Sequence, residues 1–270
     1  MTEPWLTIHR GTAPLLVSFP HTGLDIPDDC KDGLISQELA RHDADWYIDK
    51  LYAFAADLGA TTVHTALSRS VIDVNRDPSG ASLYPGQVTT TLVPTETFDG
   101  RPLYRDGMAP NSAEIERRKT RYFAPYHAAL AAELERLRAR HARVALYDCH
   151  SIMSVLPRLF DGELPVFNIG TNSGKSCDPR LETAVTRLCA DSRWPSVLNG
   201  RFTGGWITRR YGRPADGVHA IQMELAYRGY LPDESVPPRW DPEFARPIQD
   251  VLRRVLDACL AFAVPRFRSS

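Results

Sequence analysis

Val144-Ala145-Leu146-Tyr147-Asp148-Cys149-His150-Ser151 is an apolar run that ends abruptly in an acid, a histidine and a serine. It reads as a buried strand whose end delivers polar groups into a cleft. Side chains alternate along a strand, so Asp148 and His150 share one face while Cys149 points to the other. An acid–histidine pair on one strand face suits a metal ligand or a catalytic base. The same alternation argues against a thiol dyad of Cys149 with His150, because neighbours on a strand point apart.

On both sides of this run, strand and helix patterns alternate. Leu15–Phe19 reads as a buried strand halted by Pro20 and the turn His21-Thr22-Gly23. Apolar residues at Trp46, Leu51, Phe54, Ala55 and Leu58 predict a helix from about Ala44, ended by Gly59. Thr61–Ala66 and Ser70–Val74, rich in β-branched residues, predict two strands. Residues 75–110 carry many Pro, Gly and Thr with little periodicity, a length that in compact domains often makes a lid or a substrate wall. Asn111 with Glu114 three residues on marks the start of a long helix to about His141. Beyond the Asp148 strand come an expected strand at Val166–Ile169, a helix at Pro179–Ala190 and a short strand at Ser196–Leu198. A last strand at Val218–Leu225 and a final amphipathic helix at Glu243–Ala263 complete the pattern. Such alternation predicts an α/β fold: a mixed, mostly parallel β-sheet with helices on both faces. With no repeat, low-complexity tract or linker, one domain over residues 1–270 is expected.

The chain has 270 residues, 43% hydrophobic and 24% charged, with a formal net charge of −1. That balance gives no reason to expect nucleic acid or an anionic membrane as a partner. Five widely spaced cysteines, with no C-x-x-C pair, speak against a zinc ribbon or dithiol motif and fit a reducing compartment. The opening Met1-Thr2-Glu3-Pro4-Trp5 lacks the basic and apolar segments of a secretory signal. No apolar run approaches the roughly 20 residues that cross a bilayer. These features predict a cytoplasmic protein acting on a small molecule, with its oligomeric state left open.

In open α/β sheets ligands gather beyond the carboxyl ends of the strands. Three polar groups are expected there: His21 after the first strand, Asp148 with His150, and Gln222 with Glu224, which share a face of the last strand. His219 falls on the opposite face with Ile221 and Met223, as a core or supporting residue. Two histidines, a carboxylate and a nearby glutamate are a familiar inventory for hydrolytic zinc. The compact H-E-x-x-H pattern is absent, and the residues alone leave open that His21 caps a turn and His150 bonds backbone. Arg69 and Arg76, in Ser68–Pro78, could grip carboxylates through paired hydrogen bonds. An internal salt bridge of Arg76 with Asp73 or Asp77 is the alternative. Arg201-Phe202-Thr203-Gly204-Gly205-Trp206 could bring a loop close to a ligand or simply make a tight turn. Gly170-Thr171-Asn172-Ser173-Gly174-Lys175-Ser176 is one residue short of a phosphate loop and reads as a polar loop. There is no G-x-S-x-G elbow and no dinucleotide fingerprint.

With these residues in view, the chain resembles the N-formylglutamate amidohydrolase (deformylase) family. Ser18-Phe19-Pro20-His21-Thr22-Gly23, Ser68-Arg69 with Asp73–Pro78, Asp148-Cys149-His150-Ser151, Gly204-Gly205-Trp206-Ile207 and Gln222-Met223-Glu224-Leu225 carry the resemblance, in order and over nearly the whole length. It implies a fold like that of zinc carboxypeptidases, of the phosphorylase/hydrolase type. It also implies a divalent metal, Zn²⁺ first, on His21, His150 and an acidic third ligand. Related carboxypeptidases take that acid three residues after the first histidine, where this chain has Leu24. Asp45 matches an acid at the start of the family's first helix; Asp43, which could instead be a helix N-cap, and Asp25 are rivals. The resemblance further makes Glu224 the catalytic base and Asn75 and Arg76 the binders of an α-carboxylate; for such a substrate Arg69 or Arg201 could hold the side-chain carboxylate. The activity implied is hydrolysis of N-formyl-L-glutamate to formate and L-glutamate, closing a route of histidine catabolism. Deacylation of another N-acyl amino acid, a carboxypeptidase activity and a non-catalytic amino-acid-binding role are the alternatives.

Overall fold

Seven strands form one sheet: β1 (Leu6–His9), β2 (Leu15–Phe19), β3 (Thr61–Thr65), β4 (Val144–Ile152), β5 (Phe167–Gly170), β6 (Ser196–Leu198) and β7 (Val218–Ala226), ordered β1-β3-β2-β4-β7-β5-β6. The computed structural model describes residues 3–84 and 86–264. The central strands β3, β2, β4 and β7 run parallel, β1 and β5 run antiparallel to their inner neighbours, and β6 follows β5. Strands β4 and β7 are buried along their whole length, as expected of central parallel strands covered on both faces. The sheet is therefore mixed and mostly parallel, as the alternating pattern predicts.

The helices are α1 (Gln37–Ala40), α2 (Ile48–Leu51), α3 (Ser112–Arg118), α4 (Ala124–Arg138), α5 (Pro179–Ala190), α6 (Trp206–Tyr211) and α7 (Pro242–Ala263). Alternation along the strands divides them between two cores. Leu15, Val17, Tyr147, Cys149, Ile221 and Met223 face α2, α5 and α7. Leu16, Val63, Leu146 and Ala220 face α4 and α6. Helix α7 starts where Asp241 accepts hydrogen bonds from the N–H groups of Glu243 and Phe244, with Pro242 at the first helical position. Its inner face then buries Ile248, Leu252, Val255 and Leu256 completely. Each such aliphatic side chain contributes about 1.5–3 kcal/mol by leaving water.

The fold departs from the sequence reading in five places. Ser70–Val74 is not a strand: the segment turns beneath the site, Asn75 N–H donating to Asp73 Oδ1 and Arg69 pairing with Asp73 four residues on. Its β-branched residues reflect burial, not a ladder. The expected helix from Ala44 to Leu58 is reduced to α2 and a 3-10 turn at Ala53–Ala55, because Tyr47 adopts a left-handed backbone (φ 59°) that interrupts it. Asp43 is no N-cap; its carboxylate accepts the Phe98 N–H instead. The long helix after Asn111 is present and capped as expected, but a π-helical segment at Lys119–Phe123 divides it into α3 and α4. Strand β1 and helices α1 and α6 went unforeseen, being too short to show a period.

A candidate metal centre

The parallel strands end on one edge, and the polar groups meet there. His21 lies two residues beyond β2, and His150 stands beside Glu224 in the β4–β7 register, just as Asp148 stands beside Gln222. Asp45 reaches the same point from the connection between α1 and α2, its N–H donating to His21 O at 3.0 Å. His150 Nδ1 is 3.1 Å and His21 Nδ1 3.6 Å from Asp45 Oδ2, with the two rings 4.9 Å apart. One donor atom from each of His21, Asp45 and His150 lies within 4.8 Å of the other two. Asp43 pairs with His42, and Asp25 is exposed, so neither rival joins the buried histidines.

The donor set suits a divalent cation. His21 Nε2 is 2.8 Å from Asp73 Oδ1, and His150 Nε2 is 2.9 Å from Asp148 Oδ2. A carboxylate can only accept, so His21 Nε2 carries a hydrogen; His150 meets a carboxylate at each nitrogen, Asp148 at Nε2 and Asp45 at Nδ1, and both Nδ1 atoms turn toward Asp45. A histidine whose far nitrogen is pinned to a carboxylate is the usual arrangement of a metal ligand. His21 Nδ1 and Asp45 Oδ1 are buried with no hydrogen-bond partner among the described residues, a costly state for polar atoms that a cation relieves. Two imidazoles and one carboxylate match the three-ligand set of catalytic zinc sites, which leave a position open.

Electrostatics follow from burial and charge. Burial alone would lower the His150 pKa, but Asp148 and Asp45 hold it well above the ordinary histidine range. Burial would raise Asp45 and Asp73. The bond from His150 and the nearness of His21 bring Asp45 below the carboxylate range, and the charges of His21, Arg69 and Arg76 do the same for Asp73. For Glu224 burial wins: it outweighs the opposing charges of His150, Arg69 and Arg76 and pushes the carboxyl up to about 7.

Glu224, His21 and His150 line a cavity together with Arg69, Asn75, Arg76 and Arg201, while Asp45 lies fully buried behind it. The arginines are not equivalent. Arg69 donates to Asp73 at 2.7 Å, approaches Asp45 at 3.5 Å and stacks on Phe98 at 4.6 Å, so its guanidinium is committed within the protein. Arg76 is anchored to Thr90 through Nε and Nη2, leaving Nη1 without a partner among the described residues; Asp73, at 3.7 Å, is only a loose neighbour. Arg201 is held by Leu159 O and Val88 O through Nε and Nη2. Tyr84, Val88, Thr90 and Phe98, from the long irregular stretch, form the outer wall.

Asn75 is woven into the site. Its Oδ1 accepts the Ile207 N–H at 2.8 Å and its Nδ2 donates to Asp148 Oδ2 at 3.3 Å. Gly205 donates its N–H to Gln222 Oε1 at 2.7 Å, and a Cβ there would stand 2.4–2.6 Å from the Asn75 side chain. This settles why the glycine loop is tight: it admits Asn75. Gly205→Ala is therefore expected to displace Asn75 and lower kcat/KM by about a hundredfold, the scale of a 1 Å misplacement. Steady-state kinetics on the folded variant check this, and an unchanged kcat/KM would refute it. Sequence reading missed Asp73 as the partner of His21 and Gln222 as the partner of Gly205, since neither pairing has a local signature. His219, by contrast, lies away from the site, accepting the Asp178 N–H and packing on Phe262. Thr171 and Ser176 turn their hydroxyls to Glu182 and Ala220 O, so that loop presents no phosphate cradle.

Comparison with known proteins places this geometry in context. The family model for N-formylglutamate amidohydrolase matches residues 13–231. The chain is 45% identical over 264 residues to the N-formylglutamate deformylase of Pseudomonas putida, covering 97% of this chain and 98% of that protein. It is likewise 45% identical to the N-formylglutamate deformylase of Pseudomonas aeruginosa over 263 residues, with the same coverage. Among solved structures, N-formylglutamate amidohydrolase from Ralstonia eutropha JMP134 superposes with a TM-score of 0.77 at 24% identity over 96% of each chain. A gene product of Agrobacterium tumefaciens does so with 0.71 at 17% identity over 95% of each. These two structures share the fold.

Proposed function

The chain belongs to the N-formylglutamate amidohydrolase family, and from that membership we propose that it hydrolyses N-formyl-L-glutamate to formate and L-glutamate. The observation that carries the mechanism is the convergence of His21, Asp45 and His150 beside Glu224, in a cavity whose wall supplies arginines. In this reading His21, Asp45 and His150 hold a divalent cation, which we take to be zinc. Such an ion supplies Lewis acidity: it acidifies water toward neutral pH and polarises a carbonyl.

The remaining work falls to this chain's own side chains. Glu224 takes the proton of the attacking water and delivers it to the leaving amine as the formyl C–N bond breaks. A carboxyl that titrates at about 7 is charged enough to accept a proton and acidic enough to give it up at neutral pH. Arg76 grips the α-carboxylate. Arg201 takes the side-chain carboxylate, while Arg69 keeps Asp45 and Asp73 in place and lends positive charge to the wall. Asn75, assigned to the substrate by the resemblance, serves in our reading mainly to brace Asp148 and the Gly205 loop. We place the activity in one catalytic domain over residues 1–270, in the cytoplasm, within histidine catabolism. The five cysteines are all free and buried, which supports a reducing compartment. No helix among the described residues is long and apolar enough to cross a membrane.

The test is a panel of N-formyl-, N-acetyl- and N-succinyl-glutamate and a short peptide, assayed with and without a chelator. Preferred turnover of the formyl compound, abolished by chelator and restored by metal, is expected; preference for another acyl group would replace the assignment. Arg76→Ala is expected to raise KM by about 10–100-fold with a smaller change in kcat, the loss of a charged hydrogen bond worth about 1.5–3 kcal/mol. An unchanged KM would remove Arg76 from the carboxylate.

A further inference from the structure

We propose that Tyr227 and Tyr230 are positioning residues that fix Asp45 on the two histidines by holding the backbone on either side of it. The inference rests on the reading that His21, Asp45 and His150 bind a divalent cation. Unlike the histidines, which follow or belong to sheet strands, Asp45 sits in an irregular connection between α1 and α2. A carboxylate carried by such a segment needs external support to meet two rings at a set distance.

That support is visible in the hydrogen bonds. The Tyr227 hydroxyl donates to Ala44 O at 2.6 Å, and the Tyr230 hydroxyl donates to Trp46 O at 2.8 Å. The carbonyls immediately before and after Asp45 are thus both held, while its own N–H is bound to His21 O. Tyr230 Oη also lies 2.8 Å from Ser151 Oγ. A carbonyl only accepts, so the phenol proton goes to Trp46 O and the Ser151 hydroxyl donates to the phenol oxygen. Ser151 follows His150 in β4, and Tyr227 follows the last residue of β7, the strand of Glu224. The two phenols therefore tie the Asp45 segment to the ends of the strands that carry the other reacting groups.

Two further features agree. Tyr47, next in the segment, adopts a left-handed backbone at φ 59°. A bulky residue keeps such a backbone only where the surroundings hold it. Both phenols are almost fully buried, and neither lines the cavity, so they act through Asp45 and not on the substrate. Burial raises both phenol pKa values well above the usual range, so the donors stay protonated.

The experiment measures Zn²⁺ affinity of the full chain by competition with a chromophoric chelator, together with the thermal midpoint of the metal-free protein. Tyr227→Phe and Tyr230→Phe remove only the hydroxyl. Each is expected to weaken Zn²⁺ binding about tenfold or more, the lower end of what loss of a ligand's supporting partner costs. Tyr52→Phe is the control: it breaks a buried bond to Tyr147 Oη (3.1 Å) away from the Asp45 segment, and should lower the thermal midpoint without changing affinity. Should one variant fail to fold, the other carries the test, because each phenol holds a different carbonyl. Wild-type affinity in both tyrosine variants, or an equal loss in Tyr52→Phe, would overturn the inference while leaving the metal site standing. Wild-type protein that binds no Zn²⁺, or Asp45→Asn that binds it as well as wild type, would overturn the metal reading and the inference with it.

Discussion

Glu224→Gln is expected to lower kcat by about a hundredfold or more, the usual cost of losing a general base, while the protein keeps its fold and its metal. The substitution is nearly isosteric, and the position is almost wholly buried beside Gln222, whose Nε2 donates to Glu224 Oε2 at 3.3 Å. An amide cannot accept a proton from water, so the loss should fall on kcat, and the metal content measured by elemental analysis should not move. A second signature follows from the raised carboxyl. Glu224 accepts a proton only when ionised, and burial holds its pKa at about 7, so wild-type kcat/KM should fall as pH drops through that region. A cation at the neighbouring histidines would move this limb toward lower pH, since positive charge favours the carboxylate. In Glu224→Gln the limb should disappear along with most of the rate. A variant of near wild-type kcat that kept the acid limb would assign the proton transfer to another group.

His150→Ala and Asp45→Asn are expected to abolish both metal retention and turnover. The loss should exceed the roughly 10–100-fold in affinity expected for Asp148→Asn or Asp73→Asn, which meet the two histidines at their far nitrogens and not at the nitrogens that face Asp45. The graded series distinguishes a ligand from its support. Acid should mimic the ligand substitutions. Asp148 and Asp45 keep His150 protonated well above its ordinary range, so a cation must displace that proton, and affinity should fall as pH is lowered. Dialysis of each variant against a limiting metal buffer, followed by elemental analysis, gives the stoichiometry. One bound equivalent retained by Asp45→Asn would exclude Asp45 as a ligand.

Much of this site can be read from short stretches because short-range physics shapes it. Alternation along a strand places Asp148 with His150 and Gln222 with Glu224, and the apolar partners Cys149 and Met223 are then forced into the opposite core. A parallel strand ended by Pro20 presents His21 at the edge where the other strands also end. Where local rules fail, burial and period come apart. Val71, Ile72 and Val74 look like a strand because they are buried, yet the chain there turns to aim Arg69, Asp73 and Asn75 at the site. The apolar spacing after Ala44 looks like a continuous helix, yet a helix through Asp45 would carry its carboxylate away from His21.

What this amino-acid sequence determined by itself was the strand-and-helix order, the two histidines and the glutamate at strand ends, and five motifs in a shared order. All depend on neighbours within a few residues. Only the tertiary structure decided which of Asp25, Asp43 and Asp45 faces the histidines, which arginines keep a free edge toward the cavity, and why Gly205 has no side chain. Those answers depend on groups tens to more than a hundred residues apart. Three aspartates of identical local chemistry are told apart only by the path the folded chain takes past His21 and His150.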